Sequence, residues 1–188
     1  MNKVEEYIEQ ALSEDKEEDK IVGLKNSLGK LNLDYKSKLK DSRFFYLKAY
    51  INYHILGANE EVLSLFKKSY ELDATNRYAL YYIAYCLYDI SRYKECSEVL
   101  QSIDKSDLMI WRKVKHCELI FCCSIMCEKN GKNIVKKGND YLNMIKTVDE
   151  EDIPYPTEFL IIADKKEIMG LDRIILKIKE EFELKNFI

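Results

Sequence analysis

The sequence predicts an all-α protein built from antiparallel helical hairpins that stack on one another. Three observations support this fold class. Prolines and glycines are scarce, with two and six in 188 residues, which leaves little material for the many turns of a sheet protein. Apolar residues recur at helical spacing, and no stretch shows the alternation of a strand. Segments in the middle of the chain also match one another after a shift of 34 residues.

Composition and charge exclude several classes of protein. A net charge of −3 gives no electrostatic reason to expect nucleic acid. The longest apolar run, Leu119–Cys127, is about half of what a membrane-spanning helix needs. The N-terminus lacks the layout of a signal peptide, and the six cysteines fall within helical patterns, so we interpret them as reduced thiols. We therefore expect a cytoplasmic protein with no nucleic-acid partner and no membrane association.

The first 41 residues predict two flanking helices. Val4, Ile8 and Ala11 lie on one face of a helix over about 2–13. An acidic run, Glu14–Asp19, leads into a second helix that is expected to end near Lys30. Residues 32–40 are then expected to form a linker.

The middle of the chain predicts two helical hairpins. Asp41 or Ser42 is expected to cap the first helix, whose pattern stops at Gly57. The remaining helices of the two hairpins are predicted at Glu60–Leu72, Arg77–Ile90 and Tyr93–Ile103.

The last part of the chain predicts four more helices. A central helix is expected over Leu108–Asn130, with Asn130 and Gly131 as its C-terminal stop, and a partner helix follows up to Val148. After a proline-bounded loop, Thr157 is expected to cap a helix that reaches Met169 and stops at Gly170. Asp172 is expected to cap the last helix, which brings the predicted total to about ten.

The shift of 34 residues aligns two hairpins with compatible residues at each packed or turn position. The aligned pairs are Tyr46 with Leu80, Ala49 with Ile83, Tyr50 with Ala84, Tyr53 with Leu87, Gly57 with Ser91, Glu61 with Glu95, Val62 with Cys96, Phe66 with Leu100 and Ser69 with Ile103. A hairpin of this length cannot bury its apolar face alone, whereas stacked copies bury each other.

On these residues, 43–108 resembles two tetratricopeptide repeats (TPR). Ala49, Ala84 and Cys96 match the small residues at which the two helices of such a repeat cross, and Gly57 matches its turn glycine. The resemblance implies a right-handed α-solenoid. It divides one all-helical domain over 1–188 into segments, which are 1–41 (N-terminal flanking helices), 42–75 and 76–108 (TPR-like repeats), 109–148 (a degenerate repeat) and 149–188 (C-terminal capping helices).

Tyrosines on the helix that starts at Arg77 are the main candidates for function. We assign Leu80, Ile83, Ala84 and Leu87 to the packing face of that helix. The resemblance then implies that several of the remaining positions line a concave groove that holds a partner segment. The candidate binding residues are Phe44, Lys48, Ile51, Tyr78, Tyr81, Tyr82, Tyr85 and Tyr88. The alternative is that some of these tyrosines pack on the neighbouring hairpin.

No pattern predicts catalysis, a cofactor or a metal. At 100° per residue, Cys117, Cys122, Cys123 and Cys127 scatter around their helix and lack the paired spacing of a zinc site. His54 and His116 have no accompanying nucleophile pattern, and nucleotide-binding and hydrolase motifs are absent. Only Lys48 matches the pattern by which some TPR domains clamp a terminal carboxylate, so that binding mode is not expected.

The sequence leaves three hypotheses about function. The first is a non-enzymatic adaptor that binds a protein or peptide partner in a tyrosine-lined groove. The second is an inhibitor or immunity-type protein that caps an enzyme or toxin through acidic loops such as Asp149–Asp152. The third is an enzyme or an RNA-binding protein. Self-association through an exposed end of the array is a further alternative.

Overall fold

The computed structural model describes residues 3–34, 41–106, 108–128, 130–165, 171–185 and 187. Across these residues the chain is helical, with no strand, as the sequence predicts. The helices are α1 (Lys3–Leu12), α2 (Glu17–Asp34), α3 (Ser42–Leu56), α4 (Glu60–Leu72), α5 (Arg77–Asp89), α6 (Tyr93–Ser102), α7 (Ile110–Cys127), α8 (Gly131–Thr147), α9 (Thr157–Lys165) and α10 (Asp172–Leu184). A short 3-10 helix covers Glu150–Asp152.

The predicted C-terminal ends of α2 and α7 are wrong. Helix α2 continues to Asp34, so the expected linker begins later than residue 32. Helix α7 ends at Cys127, and Asn130 is the N-cap of α8 instead of part of a C-terminal stop, because its side chain accepts a hydrogen bond from the Lys132 amide at 3.1 Å. Asparagine favours both kinds of helix end, so the sequence pattern alone does not separate them.

Side-chain caps define the starts of the central helices. Asp41 accepts a hydrogen bond from the Arg43 amide at 2.9 Å, which confirms one of the two predicted caps of α3. Asn59 and Asn76 cap α4 and α5 in the same way. The predicted cap of α10 is wrong, because Leu171 occupies the cap position and Asp172 is the first helical residue. The predicted end of α9 at Met169 and Gly170 lies outside the described residues.

The described chain forms two units, Met1–Ser91 and Arg92–Ile188. In the first unit, α1, α2 and α3 share a core that includes Ile8, Leu24, Phe44 and Ile51. Helices α1 and α2 cross closely at Gly23, where a Cβ atom would lie 2.7 Å from the Cβ of Ala11. Glycine is therefore required at this crossing.

An aromatic core joins the helices of the second unit. It consists of Phe121 on α7, Tyr141 on α8, Phe159 on α9 and Phe182 on α10, with ring centroids of neighbouring members 6.1–6.4 Å apart. Gly138 admits α10 to this core, because a Cβ at that position would lie 2.8 Å from Ile174 Cγ1. Offset and edge-to-face rings at these distances add to the stabilisation that comes from burial.

Burial and backbone geometry repeat with the period of 34 residues. The pairs Val62 with Cys96 and Phe66 with Leu100 are fully buried. Gly57 and Ser91, the paired turn residues, both have positive φ, at 72° and 64°. Gly57 is the C-cap of α3, whereas Ser91 follows the Ile90 C-cap of α5. Positive φ therefore recurs at the paired turn position although the two caps differ. The boundary between the two units falls inside the segment 76–108, and a single domain over 1–188 stays a prediction.

Candidate functional site

The tyrosines of α3 and α5 form an aromatic cluster around Tyr82. The ring of Tyr82 stacks on Phe66 of α4 with centroids 5.1 Å apart. Its other ring neighbours, at 5.3–6.2 Å, are Tyr46, Tyr50, Tyr53 and Tyr85. Tyr82 is half-buried, so one ring holds three helices together while part of it remains at the surface.

Polar and ring contacts align α3 with α5. The Tyr53 hydroxyl donates a hydrogen bond to Asp89 Oδ2 at 2.9 Å, near the C-terminal ends of both helices. Tyr46 meets Tyr82 closer to their N-terminal ends, with ring centroids 6.2 Å apart. These contacts join residues that are 36 apart in sequence at both ends, so α3 and α5 run parallel. Adjacent first helices of stacked hairpins have this arrangement.

Three of the predicted binding residues are buried in the structure. Tyr81 is 1% exposed, Ile51 is fully buried and Phe44 is 7% exposed. The assignment of Tyr81 to a face away from the packing is wrong, because the buried side of α5 is wider than the four expected residues and also includes Ala79 and Cys86. A helix that packs between neighbours buries more than one stripe of side chains. None of these three side chains offers a contact surface.

The other predicted binding residues reach the surface to different extents. Tyr78 is 54% exposed, near the start of α5. Lys48, Tyr85 and Tyr88 are half-buried. Tyr85 contacts the ring of Tyr81 at 5.1 Å, which fixes its orientation. The structure therefore leaves part of the tyrosine set accessible along α5, as a large aromatic surface with hydroxyl groups.

His54 belongs to the same cluster as a packing residue. Its ring lies 4.6 Å from Tyr50 and 5.6 Å from Tyr53, measured between centroids. Burial lowers the pKa of His54, and the charge of Lys20 lowers it further, against a smaller opposing effect of Glu17. The imidazole is thus held neutral at pH 7, which suits a packed position better than proton transfer.

A buried ionic cluster in the second unit was not predicted from the sequence. Lys115 Nζ lies 2.8 Å from Glu118 Oε2 on the same helix and also pairs with Glu158 of α9. Glu118 is fully buried, and its Oε1 accepts a hydrogen bond from the Phe159 amide at 2.9 Å. Because that amide belongs to the first turn of α9, Glu118 caps α9 from a different helix.

Burial and neighbouring charges determine the protonation of this cluster. Burial raises the pKa of Glu118 to about 7, with Lys115 opposing the shift and Glu158 adding to it. Burial alone would lower the pKa of Lys115, but the two carboxylates outweigh it and hold that pKa above its usual value. The adjacent His116 is 1% exposed, and burial lowers its pKa to about 4. Lys115 is therefore the cation that compensates two carboxylates in a largely dry environment.

The raised pKa of Glu118 predicts a specific dependence of stability on pH. The native carboxyl group keeps its proton to higher pH than the unfolded one, whose pKa is near 4.5, so this group contributes less stability as pH rises from 4.5 to about 7. Glu118→Gln removes the effect and retains an acceptor for the Phe159 amide. Urea denaturation at each pH gives the free energy of unfolding of the variant and of wild type. We expect the difference between them to shift in favour of the variant as pH rises from about 5 to about 8.

The exposed Glu98→Gln provides the control for this experiment. Its stability relative to wild type is expected to stay constant over the same pH range. The depressed pKa of His116 acts in the opposite direction, because its stabilising contribution is lost as pH falls from 6.5 towards 4, and it is present equally in all three proteins. A constant offset for Glu118→Gln would contradict the prediction.

The sequence carried only a weak signal for the ionic cluster. Lys115 and Glu118 have the spacing of an ordinary exposed pair on a helix surface. The sequence indicated burial of this pair only through its position on α7, a helix that is largely apolar. The third charge, Glu158, is 43 residues from Lys115, so its position follows only from the packing of α9 on α7.

The cysteines do not come together as a metal site. None of the six forms a disulfide, and the described residues contain no group of three or more His, Cys, Asp or Glu side chains placed to hold a metal ion. Cys86, Cys96, Cys122 and Cys123 are buried, whereas Cys127 is exposed. Its thiol donates to the Cys123 carbonyl oxygen one turn earlier in the helix, at 2.9 Å.

Comparison with known proteins supports the fold. Among solved structures, the chain is similar to the MamA RS-1 ArsTM double mutant, a TPR-containing protein, with a TM-score of 0.62 over 99% of this chain and 98% of that chain. The two sequences are 12% identical, so the likeness concerns the fold alone. No protein-family model matches the chain, and a search of curated proteins gives no match. The helices of the structure and this structural likeness together show an all-helical, TPR-like fold.

Within the described residues, no helix is both long and apolar enough to cross a membrane.

Proposed function

We propose that this protein is a non-enzymatic adaptor that binds a peptide or helix of a protein partner along α5. The observation that carries the proposal is the partly exposed tyrosine surface of that helix in a TPR-like fold. Tyr78 is exposed, and Tyr82, Tyr85 and Tyr88 are half-buried. Tyrosine side chains that are held in place by packing lose little conformational entropy on binding, which makes them effective contact residues.

The accessible residues narrow the predicted binding set. We retain Tyr78, Tyr85 and Tyr88 as contact residues and Tyr82 as their support, and we omit the buried Phe44, Ile51 and Tyr81. Lys48 lies on α3 in the stripe that contains Phe44 and Ile51, which belong to the core with α1 and α2. The opposite side of α3 meets α5, so we also omit Lys48 from the contact residues. We expect the partner segment to be a helix or an extended peptide whose apolar or aromatic side chains lie on one face.

The same proposal places the protein in the cytoplasm. None of the six cysteines forms a disulfide, in keeping with a reducing compartment. A second copy of the chain is an alternative partner, which sedimentation of the purified protein at increasing concentration tests directly.

A peptide selection tests the tyrosine surface. Peptides selected from a random display library on the full-length chain are labelled, and their dissociation constants are measured by fluorescence anisotropy. We expect Tyr78→Ser/Tyr88→Ser to weaken binding about 10-fold or more, because contact tyrosines contribute strongly to affinity. Circular dichroism establishes that the variant is folded.

Tyrosines outside the proposed surface provide a matched control. Tyr7 on α1 and Tyr155 before α9 are 41% and 57% exposed. The double variant Tyr7→Ser/Tyr155→Ser removes the same number of hydroxyl groups and rings, and we expect it to bind like wild type. Equal binding by both folded double variants would contradict the proposal.

A further inference from the structure

A groove between α8 and α10 carries an unexplained concentration of positive charge. Its volume is about 370 Å³, and its lining residues are Val135 and Asn139 of α8 with Arg173, Ile174 and Lys177 of α10. Among the described lining residues, two are cations, one is an amide and none is a carboxylate. A groove of this size accommodates a few side chains of a bound segment.

The groove results from the way in which α8 and α10 pack. The two helices run parallel, since Gly138 in the middle of α8 lies against Ile174 in the first turn of α10, while Lys146 Nζ lies 3.9 Å from Glu181 Oε2 further along both helices. The close approach at Gly138 brings the backbones together and leaves the side chains at 135, 139, 173 and 177 to form the walls. Ile174 is 5% exposed, so it contributes an apolar floor.

Cations along this pair of helices differ in how they are used. Lys146 pairs with Glu181, and Lys185 Nζ donates to the Val148 carbonyl oxygen at 3.2 Å. In the part of the chain that the structure describes, Arg173 and Lys177 have no ion-pair partner, although both line the same groove. The carboxylates nearest to these two cations in sequence are Asp172, beside Arg173, and Glu180, three residues after Lys177. Both are exposed, and neither belongs to the described lining of the groove.

We propose that this groove binds an acidic peptide segment of a protein partner. Arg173 would pair with a carboxylate through two parallel N–H donors, and Lys177, one helical turn further on, would pair with a second carboxylate. The Asn139 amide is placed to bond to the peptide backbone, while Val135 and Ile174 contact the methylene groups of glutamate side chains. This second site uses α8 and α10, so it is independent of the tyrosine surface on α5.

The test measures binding of a defined acidic probe. The probe is a short fluorescein-labelled peptide in which Glu and Ala alternate, and its dissociation constant for the full chain is measured by anisotropy at about 50 mM salt. We expect Arg173→Ala/Lys177→Ala to weaken binding about 10-fold or more. Asn139→Asp, which adds a carboxylate to the groove and keeps both cations, is expected to weaken it as well.

A charge-matched control distinguishes the groove from general attraction to positive charge. Lys132→Ala/Lys136→Ala removes two exposed lysines of α8 that do not line the groove. We expect this variant to lose less than about 3-fold in affinity, the size of a screened surface effect. The corresponding Gln and Ala peptide is expected not to bind.

Three outcomes would overturn the proposal. One is absence of binding by wild type, and another is an equal loss in the two double variants, which would mean that only the net charge matters. The third is displacement of the probe by millimolar inorganic phosphate or free glutamate, which would identify a site for small anions instead of a peptide.

Discussion

Lys115→Met is expected to lower the free energy of unfolding of the second unit by about 3–5 kcal/mol, the usual cost of removing one member of a buried ion pair. Methionine has a similar volume, so little of this cost comes from lost packing. The variant leaves Glu118 fully buried and Glu158 beside it, with no cation to compensate either carboxylate. Urea denaturation monitored by circular dichroism measures the change.

A surface ion pair of the same helical unit provides the control. Lys146 pairs with Glu181 across α8 and α10, and its side chain is 53% exposed. We expect Lys146→Met to cost less than about 1 kcal/mol, because exposed pairs contribute little. The double variant Lys115→Met/Glu118→Gln is expected to recover part of the loss, since the neutral glutamine side chain needs no cation and still accepts from the Phe159 amide. An equal loss in the free energy of unfolding for Lys115→Met and Lys146→Met would contradict the prediction, because it would mean that the buried pair contributes no more than an exposed one.

Tyr82→Ala is expected to destabilise the first unit by about 3 kcal/mol, near the lower end of the range for large aromatic residues because the side chain is half-buried. The substitution removes ring contacts with Phe66 of α4 and with three tyrosines of α3 at once. The tyrosine contacts join α5 to α3, which is not adjacent to it in sequence, and the Phe66 contact joins α5 to α4, so α3, α4 and α5 lose a common packing element. Thermal and urea unfolding both report the loss.

Two further variants show whether the loss comes from the ring of Tyr82 in particular. Tyr82→Phe keeps every ring contact and is expected to remain close to wild type. Tyr78→Ala removes a tyrosine of the same helix that is 54% exposed, and we expect a change within about 0.5 kcal/mol. A destabilisation by Tyr78→Ala as large as that of Tyr82→Ala would contradict the central role of Tyr82.

This packing role affects how the binding proposal is tested. A loss of partner binding in Tyr82→Ala would follow from disruption of the helices, whether or not Tyr82 contacts the partner. For that reason the binding experiment uses Tyr78 and Tyr88, and Tyr82→Ala belongs to the stability experiments.

The acidic residues Glu150–Asp152, on which the inhibitor hypothesis relied, form a 3-10 helix, and neither the fold nor the comparison favours that hypothesis.

The candidate site could be predicted only in part. Tyr46, Tyr50 and Tyr53 were assigned to packing through the 34-residue repeat, and the structure confirms that their rings meet Tyr82. The accessible tyrosines of α5 were among the predicted residues, but so were side chains that proved to be buried. A helical wheel divides residues into faces, whereas burial depends on how many neighbours the helix has and on their angles.

Local sequence patterns specify the helices and their repeat, because helical periodicity, caps and turn residues act within a few positions of the chain. The fold class, the turn equivalence of Gly57 and Ser91 and the cap at Asp41 all follow from such local patterns. Tertiary packing specifies which side chains are accessible and which charges are buried. The burial of Tyr81 and the pairing of Lys115 with Glu158 depend on contacts between helices far apart in sequence, and no local pattern specifies them.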